Sequence, residues 1–308
     1  MTNSLRLDVI VPVYRDAPRA SEVVRALLGC AVPSDLLLRI RIVDDGSCDD
    51  TAAVLVETFG DDIEVVRLQR NLGRSGARNA GARGSDADYL LFLDGDCVPD
   101  DGAFLAHHVK ALMAADVSIG DVVGQNDGFW HEYQAAASRR RRRLVTRTTS
   151  ALFTTQNVAI ARKSFLGAGG FDEGYVGYGF EDRDLALRLA SRGARFVVTP
   201  QARVVHRDTL DLATVCRKMR EAGTLTSARF ASQYPAEYRQ LGYEAIDARH
   251  HPLRGAAAAL TWACVRRLTA SDRWLDAPWL PFAAKKLLVR VAVASAYMDG
   301  TRVAATNA

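Results

Sequence analysis

The first hundred residues of the chain alternate short apolar runs with segments whose apolar residues recur at helical spacing. The apolar runs predict four strands, at residues 7–13, 36–43, 63–68 and 89–93. The segments between them predict three helices, at residues 20–28, from a cap at Asp50 to Phe59, and at 75–84. Strands and helices that alternate in this way are typical of a parallel α/β sheet covered by helices.

Beyond residue 100 the pattern is less regular. It predicts helices at residues 101–114 and 180–191, and strands at 117–123, 151–161 and 195–198. From residue 210 onward the pattern is mainly helical, with long segments at 210–234 and 281–298. We therefore expect two domains, divided near residue 208.

The composition is that of a globular protein, with 308 residues of which 48% are hydrophobic and 25% charged. The apolar run at residues 255–265 ends at Arg266 and is too short for a bilayer-spanning helix. Residues 1–15 lack the pattern of a secretory signal, so we expect a cytosolic chain without a membrane span. The five cysteines are odd in number and form no C-x-x-C, which argues against a disulfide framework and a structural zinc site.

Charge is divided along the chain, since acidic residues dominate residues 1–130 and basic residues dominate the rest. This division suits a first part that offers carboxylates to a cation and a second part that meets an anion, although solvated faces give the same balance. The run of five arginines at residues 139–143 should be exposed. No aromatic residues interleave with it, so it does not indicate a nucleic-acid site.

Asp94-Gly95-Asp96 directly follows the strand predicted at residues 89–93. In an extended chain, positions i and i+2 point to the same side, so both carboxylates can face one ligand. Mg²⁺ and Mn²⁺ take oxygen ligands and share them with phosphates, which makes a metal–diphosphate site one interpretation. A simple turn after a strand is the commoner interpretation of this tripeptide alone.

Two other polar segments follow predicted strands. Asp44 and Asp45 can accept hydrogen bonds from a base or ribose, although the segment DDGS is equally good turn chemistry. Residues 71–81, NLGRSGARNAG, match neither the dinucleotide fingerprint nor the P-loop. They form a glycine-rich entry to a helix that carries Arg74 and Arg78, cations that can neighbour a diphosphate.

Glu181 and Asp182 follow a glycine-rich stretch and open the helix predicted at residues 180–191. Acidic residues at a helix start are common because they complement the helix dipole. Alternatively, a carboxylate beside a flexible loop can accept a proton from a hydroxyl nucleophile. His206 follows a predicted strand and is either structural or a third metal ligand through an imidazole nitrogen.

In their order, these motifs resemble those of family 2 glycosyltransferases, and the last stretch also resembles the C-terminal motif of galactosyltransferase-like enzymes. The resemblance extends over about residues 7–208. The matching segments are VIVPVYRD (9–16), VDDGSCDDT (43–51), NLGRSGARNAG (71–81), LFLDGDCVPD (91–100), TTQNVAIARKSF (154–165), GGFDE (169–173) and GYGFEDRDLALRLASRG (177–193).

The resemblance implies an α/β fold of the GT-A type, a Rossmann-like mixed sheet flanked by helices, with a helical region at its C-terminus. Residues 1–208 would form the catalytic domain and residues 209–308 the helical region on the acceptor or membrane side. The implied donor-binding residues are Pro12, Tyr14, Asp44, Asp45, Arg78, Asp94, Gly95 and Glu181. The implied metal ligands are Asp94, Asp96 and His206, Asp182 would be the catalytic base, and Gly169 and Gly170 would line the acceptor side.

The implied reaction is an inverting, metal-dependent transfer of a sugar from a nucleoside-diphosphate sugar, expected to be a UDP-sugar, with Mn²⁺ or Mg²⁺. The acceptor would be a hydroxyl group of a glycan, a lipid-linked sugar or a small molecule, and no nucleic acid would be involved. Two alternatives remain open. One is a sugar nucleotidyltransferase, and the other is a non-catalytic lipid- or polyanion-binding protein on the same fold.

The segment at residues 281–298 mixes apolar residues with Lys285, Lys286 and Arg290, and Trp274 and Trp279 lie just upstream. Basic charge beside apolar and aromatic residues is typical of a helix at a membrane interface. The alternative is that its apolar face packs on the catalytic domain. A helix at a membrane interface would place the protein in the cytoplasm, in peripheral contact with the inner face of the membrane.

Overall fold

A computed structural model describes residues 4–125, 128–144, 153–208, 210–269 and 271–306. Eight strands form one sheet. They are β1 (Leu5–Val13), β2 (Leu36–Asp44), β3 (Glu64–Arg67), β4 (Tyr89–Leu93), β5 (Cys97–Pro99), β6 (Val117–Gly124), β7 (Asn157–Ala161) and β8 (Phe196–His206).

The sheet has the strand order β3-β2-β1-β4-β7-β6-β8-β5. The first four strands pair in parallel, as the alternating pattern predicted. β7 runs antiparallel to both β4 and β6, and β5 runs antiparallel to β8, so the complete sheet is mixed. The predicted mixed α/β architecture is therefore confirmed.

Seven helices accompany the strands in the first two thirds of the described chain. They are α1 (Ala17–Leu28), α2 (Thr51–Phe59), α3 (Gly73–Arg83), α4 (Phe104–Leu112), α5 (Phe129–Leu144), α6 (Arg162–Gly167) and α7 (Glu181–Ser191). Asp16 caps α1, because its side chain accepts a hydrogen bond from the backbone N–H of Arg19. Of the arginine run, Arg139 is exposed, and the side chains of the other four lie outside the described ones.

The core lies on both faces of the sheet, because successive side chains of a strand point to opposite faces. Val9 and Val11 of β1 belong to one buried cluster, together with Val23 of α1. Ile10, which stands between them in the chain, belongs to the opposite cluster with Ala77 of α3. Each fully buried aliphatic side chain contributes roughly 1.5–3 kcal/mol, so these two layers hold the helices against both faces of the sheet.

Three local predictions differ from the structure. The strand predicted at residues 151–161 begins only at Asn157, because residues 153–156 form a loop whose polar groups bond elsewhere; residues 151 and 152 lie outside the described chain. The strand predicted at 195–198 extends to His206, since it pairs with both β6 and β5. Asp50 makes no capping bond to α2; Asp49 accepts hydrogen bonds from Thr51 instead. β5, α5 and α6 were not predicted at all.

The rest of the described chain is helical. It contains α8 (Leu212–Glu221), α9 (Ser227–Gln233), α10 (Pro235–Gln240), α11 (Pro252–Thr269) and α12 (Phe282–Thr306). A π-helical segment, Ala222–Thr226, joins α8 to α9. The long helices predicted at 210–234 and 281–298 are present, and α12 is longer than predicted. Among the described residues, no helix has both the length and the apolar character needed to cross a bilayer.

The chain divides into two compact units. The first unit comprises Met1–Gln125, Gln134–Glu173 and Asp182–Asp208, and the second comprises Asn126–Tyr133, Gly174–Glu181 and Thr209–Ala308. The eight-stranded sheet belongs to the first unit and α8 to α12 belong to the second. In the second unit, the hydroxyl of Tyr238 donates a hydrogen bond to Asp247 at 2.7 Å, in a buried polar cluster.

Candidate active site

A cavity of about 230 Å³ lies in the first unit, where β1, β2 and β4 end. Parallel strands bring their carboxyl ends to one edge of a sheet, which is where open α/β sheets place ligands. The lining residues are Pro12, Val13, Tyr14, Asp16, Asp45, Arg74, Ala77, Asp94, Gly95 and Asp96. Six of the predicted site residues therefore meet at this cavity.

Tyr14 and Asp45 offer an aromatic ring and a carboxylate to the cavity. The Tyr14 side chain is 45% exposed, and the Arg15 guanidinium lies 5.1 Å from the centre of its ring. Asp45 is buried and accepts a hydrogen bond from the backbone N–H of Leu72 at 2.7 Å. Burial raises the pKa of Asp45, although the N–H groups of Leu72 and Gly73 act in the opposite direction. A ring beside a fixed hydrogen-bond acceptor suits a planar heterocycle.

Asp44 is placed differently from Asp45. It is buried and does not line the cavity. Its carboxylate accepts a hydrogen bond from the backbone N–H of Ser47 at 3.1 Å, and Arg67 lies 3.9 Å away. Asp44 therefore helps to form the turn after β2. Its part in donor binding stays a prediction.

Gly95 allows the loop after β4 to lie close to β1. A Cβ atom at Gly95 would be 3.1 Å from the carbonyl oxygen of Pro12, closer than side-chain carbons usually come to backbone. The backbone N–H of Cys97 also donates to the carbonyl of Asp94 at 3.0 Å, so this segment is a turn as well as a pair of carboxylates. Both interpretations of Asp94-Gly95-Asp96 are thus compatible with the geometry.

Arg78 is fully buried in α3 and lies between two candidate functional carboxylates. Its Nη2 donates to Oδ1 of Asp94 at 2.7 Å, and its Nη1 lies 4.0 Å from Oδ1 of Asp182. The guanidinium is also 5.4 Å from the ring centre of Phe171. Arg78 does not line the cavity, whereas Arg74, one helical turn earlier, does.

Asp96 and His206 meet because β5 pairs with the last residues of β8, where Cys97 is opposite His206. Nε2 of His206 lies 3.2 Å from Oδ2 of Asp96. Burial opposes charge on both groups. The hydrogen bond and opposite charges nevertheless lower the pKa of Asp96 and raise the pKa of His206.

This pair, with Cys97, offers donor atoms that all lie within 4.8 Å of one another. A carboxylate oxygen and an imidazole nitrogen are ligands that Mn²⁺ accepts and shares with phosphate. Burial raises the pKa of the Cys97 thiol well above its usual value. Mn²⁺ and Mg²⁺ also prefer oxygen and nitrogen ligands to sulfur, so Cys97 is the weakest of the three candidate ligands. In the part of the chain that the structure describes, Nδ1 of His206 is buried without a hydrogen-bond partner. Asp96 and His206 therefore fit a divalent cation.

Asp94 is not in this group of candidate ligands, and one of its carboxylate oxygens accepts a hydrogen bond from Arg78.

Asp182 lies in the first turn of α7, with its side chain 25% exposed. Both of its oxygens accept hydrogen bonds from Thr155, one from the hydroxyl at 2.6 Å and one from the backbone N–H at 3.2 Å. A carboxylate that is fixed yet partly accessible has the properties required of a general base. Glu181, the preceding residue, is buried and belongs to the second unit.

Gly169 and Gly170 follow the end of α6 and have positive φ angles of 84° and 70°. A Cβ atom at Gly170 would lie 2.8 Å from Oδ1 of Asn79. That oxygen accepts a hydrogen bond from the backbone N–H of Phe171 at 2.9 Å. The glycines thus allow the chain to turn closely past α3, and neither of them lines the cavity described above.

The sequence did not single out four residues near these groups. Asp16 and Val13 line the cavity, Cys97 is adjacent to Asp96, and Thr155 binds Asp182. Asp16 lies three residues after the end of β1 and could have been found by its position near a strand end. Thr155 gave no such signal, because the pattern placed it inside a strand.

Comparison with family models gives two matches. The model described as glycosyl transferase family 2 matches residues 8–169, more than half of the 308-residue chain. The model described as the N-terminal domain of galactosyltransferase matches residues 142–209. Together they span the segment over which the sequence motifs were recognised.

The curated relatives that the chain matches are named as transferases or glycosyltransferases. The chain is 32% identical to an undecaprenyl-phosphate 4-deoxy-4-formamido-L-arabinose transferase of Sodalis glossinidius over 48% of this chain and 47% of that protein. It is 30% identical to a pre-mycofactocin glycosyltransferase of Mycobacterium tuberculosis over 64% of this chain and 42% of that protein. The chain thus spans about half the length of the curated relatives it matches.

Solved structures share the fold. A mannosyltransferase from Pyrobaculum calidifontis, PcManGT, superimposes with a TM-score of 0.64 and 22% identity, over 94% of this chain and 86% of that one. GalNAc-T7 superimposes with a TM-score of 0.53 and 18% identity, over 72% of this chain and 48% of that one. At such identities the likeness establishes the GT-A fold. The match of the family model over more than half of the chain establishes the rest: this protein belongs to glycosyl transferase family 2.

Proposed function

We propose that the protein is an inverting, metal-dependent glycosyltransferase. In this proposal it moves a sugar from a nucleoside-diphosphate sugar, specifically a UDP-sugar, to a hydroxyl acceptor. The observation that carries the proposal is the pairing of Asp96 with His206, at 3.2 Å, beside the cavity where the parallel strands end. A carboxylate and an imidazole in that position suit a cation that holds a diphosphate.

The donor would bind in the cavity through its nucleotide. The exposed ring of Tyr14 offers a stacking surface for the base, and Asp45 offers an acceptor for its N–H groups. One oxygen of Asp94 accepts a hydrogen bond from Arg78, and its second oxygen would accept one from a ribose hydroxyl. Arg74 lines the same cavity and supplies positive charge for the diphosphate. Pro12 and Gly95 bring the backbone close to the nucleotide, and Glu181 is assigned to the side of the donor sugar.

Asp96 and His206 would hold Mn²⁺ or Mg²⁺. When bound, such an ion stabilises the negative charge that develops on the departing diphosphate. Two solved relatives of the same fold are supportive here, since one is a complex with GDP-Man and Mn²⁺ and the other contains UDP, GalNAc and Mn²⁺. We assign Asp94 to the ribose and the edge of the metal site.

Asp182 would act as the general base. It accepts the proton of the acceptor hydroxyl while that oxygen forms a bond to the anomeric carbon. The bond between the anomeric carbon and the phosphate oxygen breaks, and the nucleoside diphosphate leaves with the electron pair. Because attack and departure occur on opposite faces in one displacement, the anomeric configuration inverts. Base catalysis of this kind contributes roughly 10²–10⁴-fold.

The acceptor is proposed to be a hydroxyl group of a glycan, a lipid-linked sugar or a small molecule, without nucleic acid. The names of two relatives refer to different compounds, undecaprenyl phosphate in one and pre-mycofactocin in the other, so they do not point to a single acceptor. Gly169 and Gly170 remain proposed for the acceptor side, and the cytoplasmic location stays a prediction.

The proposal is tested by calorimetric titration with UDP and with GDP, each with and without Mn²⁺. We expect UDP to bind only weakly without the metal and at least tenfold more tightly with it. Slow hydrolysis of one UDP-sugar from a panel, measured without any acceptor, would then identify the donor. Equal affinity for UDP with and without Mn²⁺ would contradict the metal-dependent site. Tighter binding of GDP than of UDP would contradict the proposal that the donor is a UDP-sugar.

A further inference from the structure

The helix α12 is apolar on two opposite faces. Its inner face contains Val289, Ala292 and Ala296, all buried in the core of the second unit. On the opposite side, Leu287 is 61% exposed and Val291 is 48% exposed. A helix on a protein surface normally has one apolar face and one polar face, so the outward apolar residues call for a partner.

The outer face of α12, meaning Leu287, Leu288, Arg290 and Val291, is exposed throughout. Leu288 is 46% exposed, and Trp279, three residues before the helix begins, is 77% exposed. Large apolar side chains at the surface cost free energy in water, and several within two helical turns form a patch rather than isolated exceptions.

The charges beside this face have one sign. Lys285, Lys286 and Arg290 occur in the first nine residues of α12, and the first acidic residue of the helix is Asp299, near its other end. Asp299 is already paired with Arg220, at 2.7 Å. Arg290 is exposed beside the apolar residues, whereas Lys285 and Lys286 are partly exposed at the edges of the inner face. No acidic residue of the same half of the helix compensates these cations.

We propose that the outer face of α12 binds the surface of an anionic lipid bilayer. Exposed leucine and valine side chains would enter the boundary between headgroups and acyl chains, while the cations remain at the level of the lipid phosphates. Trp279 has the amphipathic ring that favours this interface. The proposal does not depend on the reaction that the first unit performs.

Charge decides between a membrane and a second copy of this chain. A two-fold dimer through the outer face of α12 would bring the same patch of each copy together, and with it the same cations. Like charges opposed in a closed contact are unfavourable, whereas anionic lipid attracts each of them. A bilayer surface thus satisfies both the apolar residues and the charges.

The test is co-sedimentation of the full chain with vesicles of phosphatidylcholine alone and of phosphatidylcholine with about one third phosphatidylglycerol. We expect binding to the anionic vesicles that weakens as NaCl rises from about 0.05 M to about 0.3 M. The double variant Leu287→Gln/Leu288→Gln should lower the partition coefficient at least roughly tenfold. Arg290→Gln should lower it about fivefold.

Two matched controls lie in the first unit. Met113 is an exposed apolar residue, at 74%, and Arg192 is an exposed cation. Met113→Gln and Arg192→Gln should bind vesicles as the unchanged protein does. All four variants alter exposed side chains, and their circular dichroism and thermal midpoints should match those of the unchanged protein, which separates lost binding from lost folding.

Absence of sedimentation with the anionic vesicles would overturn the proposal. So would equal binding to both kinds of vesicle that the double variant leaves unchanged. Analytical ultracentrifugation supplies a further outcome: a dimer that Leu287→Gln/Leu288→Gln dissociates would assign the outer face of α12 to a second copy and not to lipid.

Discussion

Thr155 donates two hydrogen bonds to the carboxylate of Asp182, from its hydroxyl at 2.6 Å and from its backbone N–H at 3.2 Å. The next residue, Gln156, accepts a hydrogen bond from the backbone N–H of Asp94 at 3.2 Å. One short loop before β7 therefore fixes both the loop after β4 and the first turn of α7. The carboxylate of Asp182, which we propose as the general base, therefore has little freedom to change its position.

Replacement of Thr155 by valine should lower kcat roughly tenfold or more, while the affinity for UDP with Mn²⁺ stays unchanged. Valine keeps the shape and the backbone N–H but loses the hydroxyl that orients Asp182. Thr155→Ser retains the hydroxyl and should recover most of the rate. Steady-state kinetics with calorimetry measures this; a Thr155→Ser enzyme as slow as Thr155→Val would mean that the methyl packing matters and the hydrogen bond does not.

Asp182→Asn should bind the donor nearly as well as the unchanged enzyme but lose transfer by about 10²-fold or more, because an amide cannot accept the proton. Asp61→Asn, at an exposed aspartate of the same unit, is the matched control and should remain fully active. The same reaction should give a product of inverted anomeric configuration, which proton NMR reads directly. Retention of configuration, or equal loss from both variants, would remove Asp182 from this role.

Asp96→Ala and His206→Ala should each weaken Mn²⁺ binding by more than the roughly 10–100-fold that is typical for partners outside the first coordination shell. His107→Ala is the matched control, because His107 is a partly exposed histidine on α4, away from the cavity. Cys97→Ser should bind Mn²⁺ normally, since Mn²⁺ prefers oxygen and nitrogen ligands to sulfur. Electron paramagnetic resonance of Mn²⁺ measures all four, and a large loss in Cys97→Ser would make the sulfur a ligand.

The strands β1 to β4 could be predicted because their signal is local: each is a short apolar run followed by a turn. The same signal located Asp45, Asp94 and Asp96 at one edge, since parallel strands must end together. The contact between Thr155 and Asp182 joins residues 27 apart in the chain, and no periodicity encodes it. Similarly, the pairing of β5 with β8 depends on tertiary structure, because a strand of three residues has no pattern of its own.

Position at a strand end did not separate neighbouring residues either. Asp44 and Asp45 are adjacent in sequence, yet Asp44 forms a turn and only Asp45 lines the cavity. Arg74 and Arg78 lie one helical turn apart, yet only Arg74 reaches the cavity, because Arg78 is held in the core by Asp94. Which of two neighbouring residues reaches the cavity depends on packing that the sequence pattern leaves undetermined.

Arg78→Met should lower the free energy of unfolding by about 3 kcal/mol, because it leaves Asp94 without its buried cation. The double variant Arg78→Met/Asp94→Asn removes the uncompensated charge as well and should recover part of that loss. Chemical denaturation of the two single variants and the double variant gives the coupling energy. Strict additivity of the three values would show that the 2.7 Å contact contributes no net stability.

His108 makes stability depend on pH through a buried side chain that does not line the cavity. Its ring is fully buried between Ser118 and Asn157, each at 2.9 Å, and burial lowers its pKa from 6.5 to about 4. Below about pH 6.5 the unfolded chain takes up a proton that the native state does not. The free energy of unfolding therefore decreases as the pH is lowered.

The loss of stability caused by His108 begins at about pH 6.5 as the pH is lowered, and it reaches about 3 kcal/mol at about pH 4. NMR titration of the ring nitrogens should show a neutral imidazole that persists at about pH 5. In urea unfolding, His108→Gln should be less stable at neutral pH and should have a shallower decline between about pH 6.5 and pH 4 than the unchanged protein. His107→Gln, next to it in the chain, is the control. A protonated His108 ring at about pH 6 in the folded protein would contradict the neutral, buried state on which this pH dependence rests.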